Sequence, residues 1–415
     1  MKKYGCIGKK LTHSFSKEIH AKLADYEYEL IELSEAELEN FFNKKDFNAI
    51  NVTIPYKQAV IPYLDSLSDV AKRIGAVNTI VNKNGRLHGY NTDYYGMKAL
   101  AEKAGIDVKN KKVLIFGTGG TSKTARVLTE DLGAAEIITV SRKKSGDYIT
   151  YEEAVDIHSD ADVIINTTPS GMYPDCESVP IDISVFKNLK GVLDAVYNPL
   201  CTNLVLNAKA KGIKAEGGLY MLVMQAVVAV RKFLDAEIPQ SVADSVFSCI
   251  FASKENIVLT GMPGSGKSTV GKLLNVDGFS FVDTDEEIEK RCGCSLRELI
   301  SSKGEKYFRD LETEVIKDVA SRGGQIISTG GGAVLREENV TSLKRNGKLF
   351  FINANPERLL PTDSRPLSDT TEKLKKLYDE RINIYKSTAD VVVPDMATPE
   401  EEAEFILKAR TELIM

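Results

Sequence analysis

Nine consecutive residues, Gly261-Met-Pro-Gly-Ser-Gly-Lys-Ser-Thr269, restrict the fold more than anything else in this chain of 415 residues. They fit the pattern G-x-x-x-x-G-K-[ST], a loop whose backbone N–H groups turn together toward phosphate oxygens, and glycines permit that turn. Such a loop works between a buried strand and the first turn of a helix, where the helix N-terminus adds partial positive charge. The apolar run Ile257-Val258-Leu259 reads as that strand, and Val270, Leu273 and Leu274 open the helix. In this setting Gly264, Ser265, Gly266, Lys267, Ser268 and Thr269 would surround the phosphates of ATP or GTP. Lys267 reaches the outer phosphates and Ser268 is a ligand for Mg2+.

Further apolar, β-branched runs extend the pattern along the chain, at 4–7, 28–32 and 49–53, at 112–116, 136–140, 163–166 and 192–194, and at 281–282, 325–328, 348–352 and 390–394. Segments of helical period follow each of the first three and alternate with the rest, which calls for parallel sheets covered on both faces. The expected fold class is α/β in three blocks: 1–100, a Rossmann-type block at 101–245, and a P-loop block with a parallel sheet at 256–415. Ala236-Glu-Ile-Pro-Gln-Ser241 breaks the pattern, so 246–255 is expected to be a linker. A net charge of -5 provides no basic field for nucleic acid or an anionic membrane, and the six scattered cysteines suggest neither a disulfide framework nor a zinc site. With no run of about 20 apolar residues, the expected setting is the cytoplasm and the expected partners are small molecules.

The middle block carries a second Gly-rich turn. After the strand at 112–116 come Gly117, Thr118, Gly119, Gly120 and Thr121, opening a helix whose N-terminus can take a pyrophosphate. This G-x-G-G falls short of the full G-x-G-x-x-G, so a plain strand-to-helix turn stays open as an alternative. The next strand decides the cofactor type, because an NAD site wants Asp or Glu there for the ribose 2′-hydroxyl. Here stand Ser141, Arg142 and Lys143, a hydroxyl and cations that suit a 2′-phosphate and favour NADP; a solvated basic turn is the plainer reading.

Several separated motifs accompany that turn: His13-Ser14-Phe15-Ser16, Asn51-Val-Thr-Ile-Pro-Tyr-Lys57, Gly75-Ala-Val-Asn78-Thr79, Asn91-Thr92-Asp93, Asn166-Thr-Thr-Pro-Ser-Gly171, Asp194-Ala-Val-Tyr197-Asn-Pro199, and Gly217-Gly-Leu-Tyr-Met221 leading to Gln225. Together they make residues 1–245 resemble a shikimate dehydrogenase, with a substrate-binding domain at 1–100 and an NADP-binding domain at 101–245. The resemblance implies NADP-dependent reduction of 3-dehydroshikimate to shikimate. It assigns Lys57 and Asp93 to the catalytic pair, Ser14 and Ser16 to the substrate carboxylate, and Thr53, Asn78, Asp93 and Gln225 to its ring hydroxyls. Tyr197 and Gly218 join the NADP-binding residues on the same ground. Taken singly, Lys57 reads as a surface lysine and Asp93 as a helix cap; their joint placement in two motifs overturns that. The sequence departs from the family at Tyr94, where a small residue is usual and where bulk is expected to crowd the cleft, and at Thr121 and Thr124, where alanines are typical.

Downstream of the phosphate loop lie Asp283-Thr-Asp285, Phe308-Arg309-Asp-Leu-Glu312, Ser328-Thr-Gly-Gly-Gly332, Arg365-Pro-Leu367, and Arg381 with Tyr385. This set resembles shikimate kinase across about residues 255–412. It implies ATP-dependent phosphorylation of shikimate, with Lys267 catalytic, Arg365 on a closing lid over ATP, and Ser268 and Asp283 serving Mg2+. Asp285, Arg309, Gly331, Gly332 and Arg381 would hold shikimate, since arginines clamp a carboxylate through charge-assisted bonds. The two resemblances reinforce one another, because the alcohol produced by the first activity is the acceptor of the second. The rivals are a quinate-preferring dehydrogenase using NAD fused to a different small-molecule kinase, and an inactive sensor built on pathway enzymes. Arg142 and the paired arginines argue against the first, and the retained charged groups against the second.

Overall fold

The structure, a computed structural model, describes residues 3–11, 15–359 and 371–414. Two compact units divide the chain, Met1–Ile250 and Phe251–Met415.

In the first unit β1 (Tyr4–Gly8), β2 (Tyr28–Glu32), β3 (Ala49–Val52), β4 (Ser66–Leu67), β5 (Thr79–Lys83) and β6 (Arg86–Tyr90) form a six-stranded sheet in the order β2-β1-β3-β5-β6-β4. β1 runs parallel to β2 and β3, whereas β5 is antiparallel to both β3 and β6. The β5–β6 hairpin is absent from the strands expected above, although the chain carries its signal. Asn84 and Gly85 join two alternating runs at positive φ, 55° and 82°, the turn that matches strand twist. The helix expected after β3 is replaced by turns and a short 3-10 turn, Ile61–Tyr63, because Pro55 and Pro62 remove donors that a helix requires.

A second sheet in this unit is wholly parallel: β7 (Lys112–Phe116), β8 (Glu136–Val140), β9 (Val163–Asn166), β10 (Gly191–Asp194) and β11 (Lys214–Glu216), in the order β11-β10-β9-β7-β8. β9 and β10 are buried at every residue, as expected for strands covered on both faces. The helices Asp93–Ala104 and Leu219–Leu234 pack so closely that a Cβ on Gly96 would lie 2.5 Å from the Met221 carbonyl oxygen.

The second unit holds β12 (Asn256–Thr260), β13 (Ser280–Asp283), β14 (Gln325–Ser328), β15 (Gly347–Ile352) and β16 (Val391–Val393), all parallel, in the order β13-β14-β12-β15-β16. β12 is central and its side chains alternate between two cores: Val258 joins Phe308, Ile327 and Leu349, while Ile257 and Leu259 join Val270, Phe350 and Ile406. The stretch 246–255, expected as a linker, is helical through Lys254, because Ala243, Val246 and Ile250 are buried at helical spacing in the helix Gln240–Lys254. In both parallel sheets the Gly-rich turns leave the carboxyl ends of strands, where such sheets place their ligand sites. Among the described residues, no helix is long and apolar enough to cross a membrane.

Candidate active sites

Lys57 follows β3 in a turn where Tyr56 N–H donates to Thr53 O at 2.9 Å and Lys57 O accepts from Val77 N–H at 2.7 Å. With its backbone held there, its ammonium donates to Asp93 Oδ2 at 2.5 Å. Asp93 is the first residue of the helix Asp93–Ala104, at the positive end of its dipole. The lysine side chain is 16% exposed and the aspartate 3%, so the pair opens to solvent on the lysine side. Asn78 Nδ2 donates to Asp93 Oδ1 at 2.9 Å, to Thr92 Oγ1 at 3.0 Å and to Gln225 Oε1 at 3.3 Å, while Asn78 Oδ1 accepts from Thr92 N–H at 2.7 Å. Gln225 reaches this group because its helix packs on Gly96, where a Cβ would approach the Gln225 Cβ to 3.2 Å. Thr53 is half-buried, its N–H bonded to Ile7 O at 3.0 Å. Ser16 opens the helix Ser16–Leu23; Ser14 lies outside the described residues.

The Gly-rich turn of the middle block faces this pair. A Cβ on Gly120 would sit 3.5 Å from Lys57 Cδ, and one on Gly119, the residue capping the helix Gly120–Asp131, would meet nothing within 4 Å. Gly117, at φ 114°, lets the strand turn beside Thr167. Thr118 and Thr121 flank these glycines. An open N-terminus with a bare glycine surface can admit a pyrophosphate. Ser141 N–H is bonded to Ile149 O at 2.8 Å and Ser141 Oγ accepts from Lys143 N–H at 3.3 Å, so Arg142 and Lys143 project exposed from a fixed turn. Lys144 is tied to Glu153. Tyr197 packs against Phe15 with ring centroids 5.3 Å apart, and Gly218 caps the helix Leu219–Leu234 where a Cβ would strike Ala195 O at 2.4 Å. Tyr94, expected to crowd the cleft, instead donates to Asp131 Oδ2 at 2.8 Å, and Asp131 also receives both Nη groups of Arg73, at 3.0 and 2.6 Å. Burial, then the bond to Asp131, pushes the Tyr94 phenol up to about 12, so it is a donor at neutral pH.

In the second unit Gly261, Gly264 and Gly266 take positive φ values of 149°, 76° and 85°, and Gly266 caps the helix Lys267–Leu273. Ser265 is buried beneath this loop and Thr269 lies in the helix's first turn. Lys267 is buried and donates to Met262 O at 2.7 Å and Gly261 O at 3.1 Å. Ser268 Oγ donates to Asp283 Oδ2 at 2.6 Å and lies 3.1 Å from Ser328 Oγ. Asp283 Oδ1 accepts from Asp285 N–H at 2.9 Å, and Thr284 Oγ1 accepts from Gly330 N–H at 3.0 Å, which places Asp285 beside the glycine loop. On that loop the Arg309 guanidinium rests against Gly332, where a Cβ would be 2.3 Å from Nη1, and Arg381 Nη1 donates to Gly331 O at 3.3 Å beside the Tyr385 hydroxyl. Gly331 in turn lies against Pro263 of the phosphate loop, within 2.7 Å of where its Cβ would stand. Arg365 lies outside the described residues.

The family model for the shikimate dehydrogenase substrate binding domain matches residues 6–80 and that for shikimate kinase matches residues 263–410. A protein named shikimate dehydrogenase (NADP(+)) from Clostridium perfringens is 37% identical over 274 residues, which cover 60% of this chain and 97% of that one. The chain belongs to the shikimate dehydrogenase family. Its C-terminal part is a domain of the shikimate kinase family fused to that dehydrogenase. Among solved structures, shikimate dehydrogenase 1 from Peptoclostridium difficile is 36% identical with a TM-score of 0.56, covering 60% of this chain and 98% of that one. The Thermus thermophilus enzyme, solved in complex with NADP(H) and shikimate, is 28% identical with a TM-score of 0.53 over the same shares, 60% and 98%.

In the dehydrogenase part the fold brings Lys57, Asp93, Asn78 and Gln225 together. In the kinase-family part it gathers Asp285, Arg309, Gly331, Gly332 and Arg381 beside the phosphate loop. One neighbour had no role in the sequence reading: Glu312, 0% exposed, accepts from Arg309 Nη1 at 2.7 Å. Burial pushes its carboxyl up while Arg309, Arg336 and Arg381 draw it down. Its three-residue spacing from Arg309 on one helix was the available signal.

Proposed function

We propose that the chain carries out two consecutive reactions: NADP-dependent reduction of 3-dehydroshikimate to shikimate, and phosphorylation of shikimate by ATP with Mg2+ to give shikimate 3-phosphate. The first belongs to residues 1–245, divided at about residue 100 into substrate and cofactor domains, and the second to residues 256–415.

The observation that carries the first reaction is the 2.5 Å contact of Lys57 with Asp93, locked by Asn78 and opening toward the Gly-rich turn. NADP supplies the hydride when bound. Gly117, Gly119 and Gly120 suit its pyrophosphate, and Ser141, Arg142 and Lys143 suit its 2′-phosphate. Hydride arrival at the ketone carbon leaves negative charge on oxygen, and the Lys57 ammonium both stabilises that charge and delivers the proton. Asp93 orients the ammonium and accepts a hydrogen bond from a ring hydroxyl. Asn78, Gln225 and Thr53 fix the ring, while Ser16 with Ser14 is assigned the carboxylate.

For the second reaction, Arg309 and Arg381 converge on Gly331 and Gly332 next to a phosphate loop, an arrangement suited to a small carboxylate. Lys267 neutralises phosphate charge, Asp285 orients and accepts the proton of the attacking hydroxyl, and Arg365 is assigned to the transferring group. Ser268 would hold Mg2+ directly and Asp283 through water. No cluster of three or more His, Cys, Asp or Glu side chains suited to a metal lies among the described residues. One hydroxyl and one carboxylate fit Mg2+, which keeps waters and phosphate oxygens in place of an all-protein cage.

The test is a paired assay on purified protein: NADPH oxidation with 3-dehydroshikimate, then ADP release with shikimate and ATP. Failure of either activity removes that half of the proposal.

A further inference from the structure

The shared face of the first sheet carries an unusual row. Cys6 on β1 pairs with Asn51 on β3, and Asn51 pairs with Thr79 on β5, so polar side chains sit side by side across adjacent strands. Tyr28 on β2 reaches over this row, its hydroxyl donating to Asn51 Oδ1 at 2.7 Å. Asn51 Nδ2 then donates to Thr79 Oγ1 at 3.1 Å and Asn78 O at 3.3 Å, and Thr79 Oγ1 donates to Asn78 Oδ1 at 3.1 Å. Asn78 completes the run at Asp93, the partner of Lys57.

We infer that Tyr28, acting through Asn51, Thr79 and Asn78, is a positioning residue for the Lys57–Asp93 pair. The inference rests on the dehydrogenase reading above. Each member has its donor and acceptor sides assigned by its neighbour, so the run is a chain of oriented dipoles ending on the reacting carboxylate. Apolar side chains would fill this face equally well, whereas buried dipoles cost desolvation and return orientation. The cluster behind Tyr28 holds it still: the His20 ring stacks on it at 3.9 Å and 14°, and His20 Nδ1 lies 2.6 Å from the Tyr26 hydroxyl. Burial drives the His20 imidazole down to about 3, the Cys6 thiol up to about 12, and the Tyr28 phenol well above its ordinary range. The run is therefore neutral up to Asp93, and Tyr28 remains an O–H donor throughout the working pH range. Asn78 Nδ2 is shared among three acceptors, so a small rotation of its amide changes the grip on Asp93 directly, and sub-ångström placement governs rates at such a pair.

Tyr28→Phe, Thr79→Val and Thr79→Ser test this in the full chain, by single-turnover NADPH oxidation with 3-dehydroshikimate and by steady-state KM. Loss of one bond in the run is expected to slow turnover about five- to tenfold in Tyr28→Phe and Thr79→Val. KM for 3-dehydroshikimate should stay within about twofold, and Thr79→Ser should recover the parent rate. A lower melting temperature with unchanged rate assigns the run to stability alone and overturns the inference, as does a raised KM at unchanged rate. If Tyr28→Phe fails to fold, the contrast between Thr79→Ser and Thr79→Val decides. An inactive parent protein sinks the dehydrogenase reading and this inference with it, whereas an active parent with unaffected variants sinks the inference only.

Discussion

Gly332→Ala is the sharpest probe of the proposed acceptor site in the kinase-family domain. The new Cβ would stand 2.3 Å from Arg309 Nη1, 2.5 Å from Nη2 and 2.6 Å from Cζ, closer than any contact a side chain tolerates. What gives way is the end of a flexible side chain, so the guanidinium moves and the backbone stays. Arg309 is held by Glu312 at 2.7 Å and Glu305 at 3.4 Å on its own helix, which leaves it a place to go while the fold survives. If Arg309 holds the shikimate carboxylate as proposed, the loss is a displaced charge-assisted contact, about 1.5–3 kcal/mol, or roughly 10- to 150-fold in the KM for shikimate. ADP release measured against shikimate and against ATP separates the effects, because KM for ATP should stay unchanged. NADPH oxidation in the same preparation should also match the parent. An unaltered KM for shikimate would refute the placement of Arg309 at the acceptor, and loss of ADP release at every substrate concentration with NADPH oxidation intact would mean the kinase-family domain had unfolded.

Lys57→Ala is expected to abolish NADPH oxidation and spare ADP release, with Lys267→Ala doing the reverse; loss of both from either change contradicts separate sites. Gly96→Ala drives a Cβ to 2.5 Å from a backbone oxygen that cannot swing aside, so it should lower stability by about 1–3 kcal/mol, read as a reduced urea midpoint. Asp194 gives a pH prediction. Burial pushes its carboxyl from 3.8 up to about 7, against bonds from Thr202, Val196 N–H and Asn166. The folded chain keeps that proton after the unfolded chain has lost it, so stability falls as pH rises between these values. Asp194→Asn should remove on the order of 2–4 kcal/mol of that decline, measured as the difference between parent and variant urea curves at the two ends of the window; identical curves would contradict the burial argument.

The parts legible in the sequence were those encoded locally. A glycine loop between an apolar run and a helix carries its own geometry, so Gly117–Gly120 and Gly264–Lys267 occupy the strand ends where their spacing put them. The pairing of Lys57 with Asp93 spans 36 residues and was legible only through matching motifs, since alone Lys57 reads as a surface lysine and Asp93 as a helix cap. Asn84-Gly85 was legible and passed over, because the surrounding helical periods masked a hairpin in a mostly parallel α/β pattern. The helix running on to Lys254 was obscured by Pro239 just upstream, while Val246 and Ile250 already held the right spacing. Tyr94 could not be placed from the sequence at all. Its partner Asp131 lies 37 residues away on another helix, and nothing local distinguishes a side chain that obstructs from one that bonds.

That bond has a mechanical meaning. Tyr94 follows Asp93 directly, and through Asp131 it ties the first turn of the helix Asp93–Ala104 to the last turn of the helix Gly120–Asp131, with Arg73 clamping the same carboxylate from a third element. Under the proposed function, the rod whose near end would receive the cofactor's phosphates is thus fastened at its far end one residue from Asp93. On that reading, a tilt of the rod on cofactor docking would reach Asp93 through the Tyr94–Asp131 hydrogen bond and one peptide link.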